Sequence, residues 1–160
     1  MGESVSSTVV QVFYEAFAER DAMCIAPLLA DDVEWNLPGP ISIFPFCGHR
    51  RGKAAVVDYF ARLVPKVFSV KRLQPEEWLI DGNVAAILTK VSAVQRFTGR
   101  TIVYDVAHFI TFRNDKVVAL NSLADTFDAA EQIVGHRIDA QCVPESGLSE
   151  NMPARGMVSL

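Results

Sequence analysis

Three side chains late in the chain could move a proton or polarise an oxygen atom: His108, Ser122 and Asp125. His108 stands among apolar residues, and burial disfavours the charged form of an imidazole, so it needs a partner to stay protonated. Asp125 could be that partner, or it could cap a following helix. Ser122 could hydrogen-bond to His108, but a serine is no base and no third group completes a nucleophilic triad.

His108 therefore has two open interpretations. It is either a core histidine bonded to one neighbour or a catalytic acid or base, because a titratable group in a pocket marks a site only probabilistically. A basic cluster precedes a predicted helix and also has two possible interpretations. It consists of His49, Arg50, Arg51 and Lys53. It could hold a carboxylate or phosphate, or it could be a solvated, charged loop end.

The three cysteines, Cys24, Cys47 and Cys142, are far apart and odd in number. They form neither a disulfide framework nor a closely spaced metal pair, so we expect a reduced, cytoplasmic protein with no metal and no cofactor. The first ten residues lack a basic segment followed by an apolar core, which argues against a signal peptide.

The composition narrows the class of protein. Of the 160 residues, 50% are hydrophobic and 21% are charged, which is ample for one buried core. The net charge of −4 disfavours nucleic acid as a partner, and no apolar run is long enough to cross a membrane. Residues 1–138 are predicted as one domain, and residues 139–160, which lose periodicity, as a C-terminal extension.

The elements that position these side chains follow from periodicity. Apolar residues at steps of three and four predict three helices, over residues 5–20, 21–30 and 53–63. Pro27 predicts an irregular turn within the second helix, and Pro65 predicts the end of the third. Residues 37–52 are rich in proline and glycine but carry large apolar side chains, so we interpret them as a flap over a pocket.

The second half of the chain has the pattern of strands. A short strand is predicted earlier, at residues 33–36, and β-branched and aromatic runs separated by turn residues predict five more, over residues 67–73, 77–81, 83–97, 101–113 and 116–127. Helices followed by strands indicate an α+β fold. Alternation places His108 with Tyr104 on one face of its strand, and both faces are largely apolar, so a second subunit is the expected cover for the outer face.

Three stretches carry a family resemblance: VVQVFYEAFAERDAMCIAPLLADDVEW, PFCGHRRGKAAVVDYF and HFITFRNDKVVALNSLADTFDAAEQI. In this order they resemble the nuclear transport factor 2-like superfamily, and within it the SnoaL-like and ketosteroid-isomerase-like branch. The resemblance implies a cone-shaped barrel, in which a curved antiparallel sheet packs against three N-terminal helices around an apolar pocket. It also implies a homodimer through the outer face of the sheet.

The resemblance also bears on activity. The tyrosine and the two acids of steroid isomerases of this branch fall at Phe13, Leu37 and His108, so that reaction is not expected. SnoaL-like polyketide cyclases are similar in having a histidine at the His108 position. Their acid, like that of epoxide hydrolases with this fold, falls at Ser122.

Two hypotheses lead. The first is an enzyme of isomerase, cyclase or hydrolase type that acts on a small apolar oxygenated molecule by cofactor-free proton transfer, with His108 and Asp125 as the catalytic pair. The alternative is a non-catalytic small-ligand-binding protein, and a protein adaptor is third. Contact of His108 with Asp125 would favour catalysis, and contact with Ser122 alone would favour binding. The predicted ligand-binding residues are Tyr14, Trp35, Phe60, Tyr104 and Ser122.

Overall fold

The computed structural model describes residues 4–139 as an α+β fold in which helices cover one face of a curved six-stranded sheet. The helices are α1 Ser7–Glu19, α2 Ala22–Ile25, α3 Lys53–Asp58, α4 Val64–Val67 and α5 Thr126–Val134. The strands are β1 Leu29–Leu37, β2 Gly48–Arg51, β3 Phe68–Asp81, β4 Val84–Gln95, β5 Thr101–Arg113 and β6 Lys116–Ala124. Cys142 and the predicted C-terminal extension, apart from Asp139, lie outside the described residues.

The first helix begins two residues later and ends one residue earlier than predicted. The Ser6 hydroxyl accepts a hydrogen bond from the backbone N–H of Val9, which satisfies one of the unpaired donors of the first turn. The buried face of α1 includes Phe13 and Phe17. The helix ends at Arg20, whose backbone is left-handed with φ of 60°.

The second helix is shorter than predicted. Asp21 caps α2 by accepting a hydrogen bond from the N–H of Met23. Pro27 then converts the chain to a 3₁₀ turn over Ala26–Leu28, as its missing donor and fixed φ require. Strand β1 begins at Leu29, four residues before the predicted start, so the short strand expected at 33–36 is longer.

The third helix does not end at Pro65. After α3 the chain makes a π-helical turn over Tyr59–Leu63, in which the N–H of Val64 bonds to the carbonyl of Tyr59. Pro65 then lies in the first turn of α4. The π-helical turn directly before Pro65 interrupts the regular hydrogen bonds from each residue to the fourth residue before it, so a residue without an N–H is accommodated there.

The sheet has the order β2-β1-β6-β5-β4-β3, and all neighbours are antiparallel except β1 and β6, which are parallel. Two predictions are corrected here. The flap is not entirely loop, since Gly48–Arg51 pairs with β1 as strand β2. The two strands predicted around Pro75 are one edge strand, β3, with a register shift between Pro75 and Glu77 that accommodates the missing donor.

The inner face of the sheet carries the predicted parity. Along β5, the residues Val106, His108, Ile110 and Phe112 are buried, and Phe109 between them is exposed. A register shift after Thr111 changes the alternation on the facing part of β6, so that Val117 rather than Val118 joins the buried core.

A candidate small-molecule site at His108

A cavity of about 50 Å³ lies between the inner face of the sheet, the end of α1, the flap and α5. Most of its walls are aliphatic or aromatic, and the polar groups around it are few. Those polar or ionisable lining residues are Arg20, Cys47, Tyr59, Tyr104, His108, Ser122 and Thr126, together with Trp35. Among residues 4–139, no carboxylate lines this cavity.

His108 lies in the middle of β5 and is 4% exposed. Its Nδ1 atom is 2.8 Å from the Ser122 hydroxyl of the adjacent strand, in direct register with it. The rings of Tyr14 and Phe17 pack edge-on at centroid distances of 6.0 and 5.0 Å. Its Nε2 atom is buried and has no hydrogen-bond partner within the described residues.

The imidazole of His108 is neutral at physiological pH. Burial, which removes hydration from the charged form, and the nearby positive charge of Arg20 together lower its pKa to about 3. In a neutral imidazole, one ring nitrogen carries the proton and donates a hydrogen bond, and the other accepts one. Whichever nitrogen carries the proton, Ser122 satisfies Nδ1 and Nε2 is left as one unused donor or acceptor.

Asp125 is not the partner of His108. It is exposed, and its carboxylate accepts a hydrogen bond from the N–H of Asp128 at 3.0 Å as the N-cap of α5. Strand β6 ends at Ala124, so the alternation that would have turned Asp125 toward or away from His108 stops one residue earlier. The two readings left open by the sequence are thus separated: Ser122 contacts the imidazole, and Asp125 caps a helix.

The predicted ligand-binding residues fall into two groups. Trp35, Tyr104 and Ser122 line the cavity beside His108. Tyr14 and Phe60 are buried behind its wall instead. The Tyr14 hydroxyl bonds to Thr89, and the Phe60 ring packs edge-on against Trp35.

Three other ionisable groups at or near the cavity, the hydroxyls of Tyr14 and Tyr104 and the thiol of Cys47, keep their protons at neutral pH. Burial raises the pKa of the Tyr14 hydroxyl to about 12 and raises the pKa of the Tyr104 hydroxyl well above its ordinary value. Burial also raises the pKa of the Cys47 thiol to about 11. None of these groups is an anion at neutral pH, so none is an activated base or nucleophile.

Arg20 is a cavity residue that the sequence analysis did not single out. Its guanidinium lies 5.3 Å from the ring centroid of Phe17 and 5.0 Å from that of Phe60. The signal was present in the spacing, because Arg20 follows Phe13 and Phe17 at helical intervals on the same face. A charged residue that continues an apolar stripe has to be accommodated beside the core.

The flap covers the cavity as predicted from its apolar residues. Leu37, Phe44, Phe46 and Cys47 are buried and line it. The turn is tight at Gly39, where an added Cβ would meet the Cys47 sulfur at 2.7 Å. The side chain of Cys47 thus packs directly against the start of the flap.

Three of the four residues of the basic cluster pair with acids outside the cavity, and the fourth, Arg50, bonds to the backbone carbonyls of Gly48 and Cys47. His49 and Arg51 both contact Glu34 on the neighbouring strand. Lys53 pairs with Asp31 at 2.7 Å. Because these three side chains already contact carboxylates, we interpret the basic cluster as a charged surface and not as an anion-binding site.

Residues 4–139 contain no group of three or more His, Cys, Asp and Glu side chains that could hold a metal ion. Within the same range no helix is both long enough and apolar enough to cross a membrane.

The sequence matches the family model described as the SnoaL-like domain over residues 10–120. Comparison with curated proteins gave no match. Among solved structures, the chain is similar to one from Rhodopseudomonas palustris named "Putative Isomerase", at 31% identity and a TM-score of 0.69. That match covers 79% of this chain and 93% of the other.

Two further structures show the same architecture. An NTF2-like protein from Burkholderia xenovorans LB400 is 25% identical, with a TM-score of 0.67 and coverage of 78% of this chain and 92% of the other. TerC, co-crystallised with polyporic acid, is 26% identical, with a TM-score of 0.69 and coverage of 79% and 96%.

Proposed function

The chain belongs to the SnoaL-like domain family, and from that premise we propose that its cavity binds a small apolar molecule through one oxygen atom. Nε2 of His108 forms the hydrogen bond to that oxygen. The apolar walls bind the hydrocarbon part of the ligand, and Trp35 and Tyr104 shape the space beside the imidazole. Such a site, apolar with a few placed polar groups, is the usual form of a small-molecule pocket.

One observation carries this proposal: the buried Nε2 atom of His108 without a partner within residues 4–139. A buried polar atom left unpaired costs about 1–3 kcal/mol, so such an atom calls for an explanation. Because Nδ1 already bonds to Ser122, a ligand oxygen at Nε2 would complete the hydrogen bonding of the ring. A carbonyl oxygen suits one tautomer and a hydroxyl suits the other.

The size of the cavity and one relative support a small ligand. About 50 Å³ is less than the ~150 Å³ of an engineered cavity that accommodates benzene, so a ring-sized ligand requires the walls to adjust. TerC was co-crystallised with a small molecule, polyporic acid, which is consistent with a small-molecule role for this architecture.

A cofactor-free enzyme is the second candidate, and the likeness to the Rhodopseudomonas palustris protein named as an isomerase favours it. His108 would then be the proton-transfer group. A pKa of about 3 makes its neutral imidazole a weak base, whereas proton transfer near neutral pH works best with a pKa close to the working pH. With no carboxylate on the cavity wall among the described residues, binding is the function that the geometry supports better.

The two candidates are separated by turnover in a His108→Ala variant. If the protein is an enzyme of this type, the variant loses turnover of any substrate found, by about 100-fold or more, while its fold and oligomeric state are unchanged. Turnover at the wild-type rate would exclude His108 from catalysis.

Binding is tested with two probes of matched shape, cyclopentanone and methylenecyclopentane, followed by the ¹⁵N signals of the histidine rings. We expect the ketone to shift the Nε2 signal of His108 and to bind at least tenfold more tightly than the hydrocarbon. The preference should disappear in His108→Phe and persist in His136→Ala, which alters an exposed histidine. Equal binding of both probes in the wild-type protein would contradict a hydrogen bond from Nε2.

We also propose that the protein is a homodimer through the outer face of its sheet. Two adjacent rows of apolar side chains run across this face. Leu79, Ala86 and Phe109 form one row and Leu88, Ala107 and Leu123 the other. Leu79, Phe109 and Leu123 are 67%, 44% and 57% exposed, an apolar area that a symmetric copy of the same face would cover.

A further inference from the structure

We propose that the molecule bound in this cavity is an organic anion, whose charged oxygen pairs with the guanidinium of Arg20. This inference rests on the proposed binding function and adds the charge of the ligand to it. The class of ligand is a small aliphatic or aromatic acid, with an apolar body and one carboxylate, phenolate or enolate oxygen.

The first support is the position of Arg20. Arg20 lines the cavity, and its guanidinium lies over three aromatic rings, at 5.3, 5.9 and 5.0 Å from the centroids of Phe17, Tyr59 and Phe60. The rings fix the side chain along the cavity wall, because a cation is attracted to the faces of aromatic rings.

The backbone of Arg20 adds to this. The residue ends α1 with φ of 60°, in the left-handed region where helices usually place glycine. A residue with a side chain pays about 1–2 kcal/mol for that conformation. The left-handed turn is thus occupied by a long cation instead of the residue that fits it most easily, which points to a role for the side chain.

The second support is the missing counter-charge. Throughout residues 4–139, Arg20 makes no ion pair and its side chain donates no hydrogen bond to a protein atom, whereas Arg113 pairs with Asp32 on the surface. Of the two acids next to it in sequence, Asp21 caps α2, and Glu19 is exposed and does not pair with Arg20. A half-buried cation without a carboxylate loses hydration that the rings restore only in part.

The third support is that two further residues at the cavity, His108 and Tyr104, can each donate a hydrogen bond that no protein atom of residues 4–139 accepts. Nε2 of His108 is unpartnered. The Tyr104 hydroxyl lines the cavity, keeps its proton and bonds to no protein atom in the described part of the chain. With Nε2 protonated and Ser122 donating to Nδ1, His108 joins Arg20 and Tyr104 as a donor. An anionic oxygen is the acceptor that such a set favours, since charge-assisted hydrogen bonds are the stronger ones.

The test compares each acid with its neutral amide of the same shape: isobutyrate with isobutyramide, and benzoate with benzamide. Binding to the full chain is measured by titration followed by NMR at pH 7, with the His108 ring and the Arg20 guanidinium as reporters. We expect at least tenfold tighter binding of an acid than of its amide in the wild-type protein. Arg20→Gln should abolish this preference, and Arg20→Lys, which keeps the positive charge, should retain part of it.

The outcomes separate this inference from the function beneath it. If an acid and its amide bind equally well and both shift the His108 signal, the charge assignment is wrong and the binding site stands. If the acid is preferred but Arg20→Gln leaves the preference unchanged, Arg20 is not the pairing group and the inference is likewise overturned. If neither the acid nor the amide shifts the His108 signal, and cyclopentanone does not shift it either, both the proposed binding function and this inference are refuted.

Discussion

At the scale of single residues, the neutral state of His108 is the feature on which the site depends. The ring packs against aromatic side chains and makes one hydrogen bond within the described residues, to Ser122. A carboxylate partner would have kept it charged, and Asp125 is instead used as a helix cap. The residue is therefore suited to hydrogen bonding rather than to holding a proton for transfer.

The pH dependence of stability follows from this state. In the unfolded chain His108 takes up a proton near its ordinary pKa of 6.5, but the native pKa is about 3. Between these values the unfolded chain binds more protons, so lowering the pH destabilises the native protein, by up to about 1.4 kcal/mol per pH unit. As the pH rises past 6.5, the unfolded chain also loses this proton, and the pH dependence due to His108 disappears.

We expect the free energy of unfolding, measured with urea, to fall as the pH is lowered from 6.5 to 4.5. In His108→Gln the free energy should fall less steeply over the same range. The window lies above the titration of Asp31, Asp32 and Asp58, whose pKa values are lowered by Lys53, Arg113 and Arg62. Parallel slopes for the two proteins would mean that His108 is not buried in its neutral form.

At the scale of elements, the flap and α5 close the cavity against the sheet. Phe44 and Phe46 of the flap pack on Phe68 at the start of β3. Thr126 and Ala129 of α5 complete the wall near Ser122. Helix α5 ends at Gly135, where φ is 80° and the Arg100 side chain occupies the space that a Cβ would need.

The role of Asp125 belongs to this scale and gives a stability prediction. Asp125→Ala should lower the free energy of unfolding by about 1 kcal/mol, because the first turn of α5 loses its cap. Asp125→Asn should cost less, since an asparagine also caps helices well. Urea denaturation measures both changes.

The same variants test the alternative role of Asp125. Neither substitution should move the His108 ring signals, because the carboxylate does not contact the imidazole. Unchanged stability together with shifted His108 signals would restore Asp125 as the partner of the imidazole.

At the scale of the whole molecule, one face of the curved sheet lines the cavity, and the other is the face through which we propose that a second subunit binds. The inner face carries His108 and Ser122, and the outer face carries the two apolar rows that include Phe109 and Leu123. Because neighbouring residues of a strand point to opposite faces, His108 faces the cavity and Phe109 faces the proposed dimer interface.

The proposed dimer predicts the effect of a charge on the outer face. Phe109→Glu combined with Leu123→Glu should convert the dimer to a monomer, as measured by sedimentation equilibrium. Met23→Glu places the same charge at an apolar residue of α2 that is 77% exposed, and it should leave the dimer intact. A wild-type mass equal to one chain would refute the dimer outright.

The sequence by itself determined the α+β class, the approximate extent of α1, the extent of β5 and which residues share a strand face with His108, because these depend on local periodicity and alternation. The membership in the SnoaL-like family was confirmed by the family model. Local patterns failed at β2, which forms because β1 lies beside it, and at Pro65, which is accommodated because a π-helical turn precedes it.

The tertiary structure alone decided which polar groups meet. Ser122 reaches His108 through the register of β5 and β6, and Arg20 reaches the cavity through the left-handed end of α1. Asp125 lies one residue beyond the last strand and turns into a helix cap. Pairing register and chain direction at element ends are set by packing between segments far apart in sequence, and a one-residue change in either moves a side chain from the cavity to the surface.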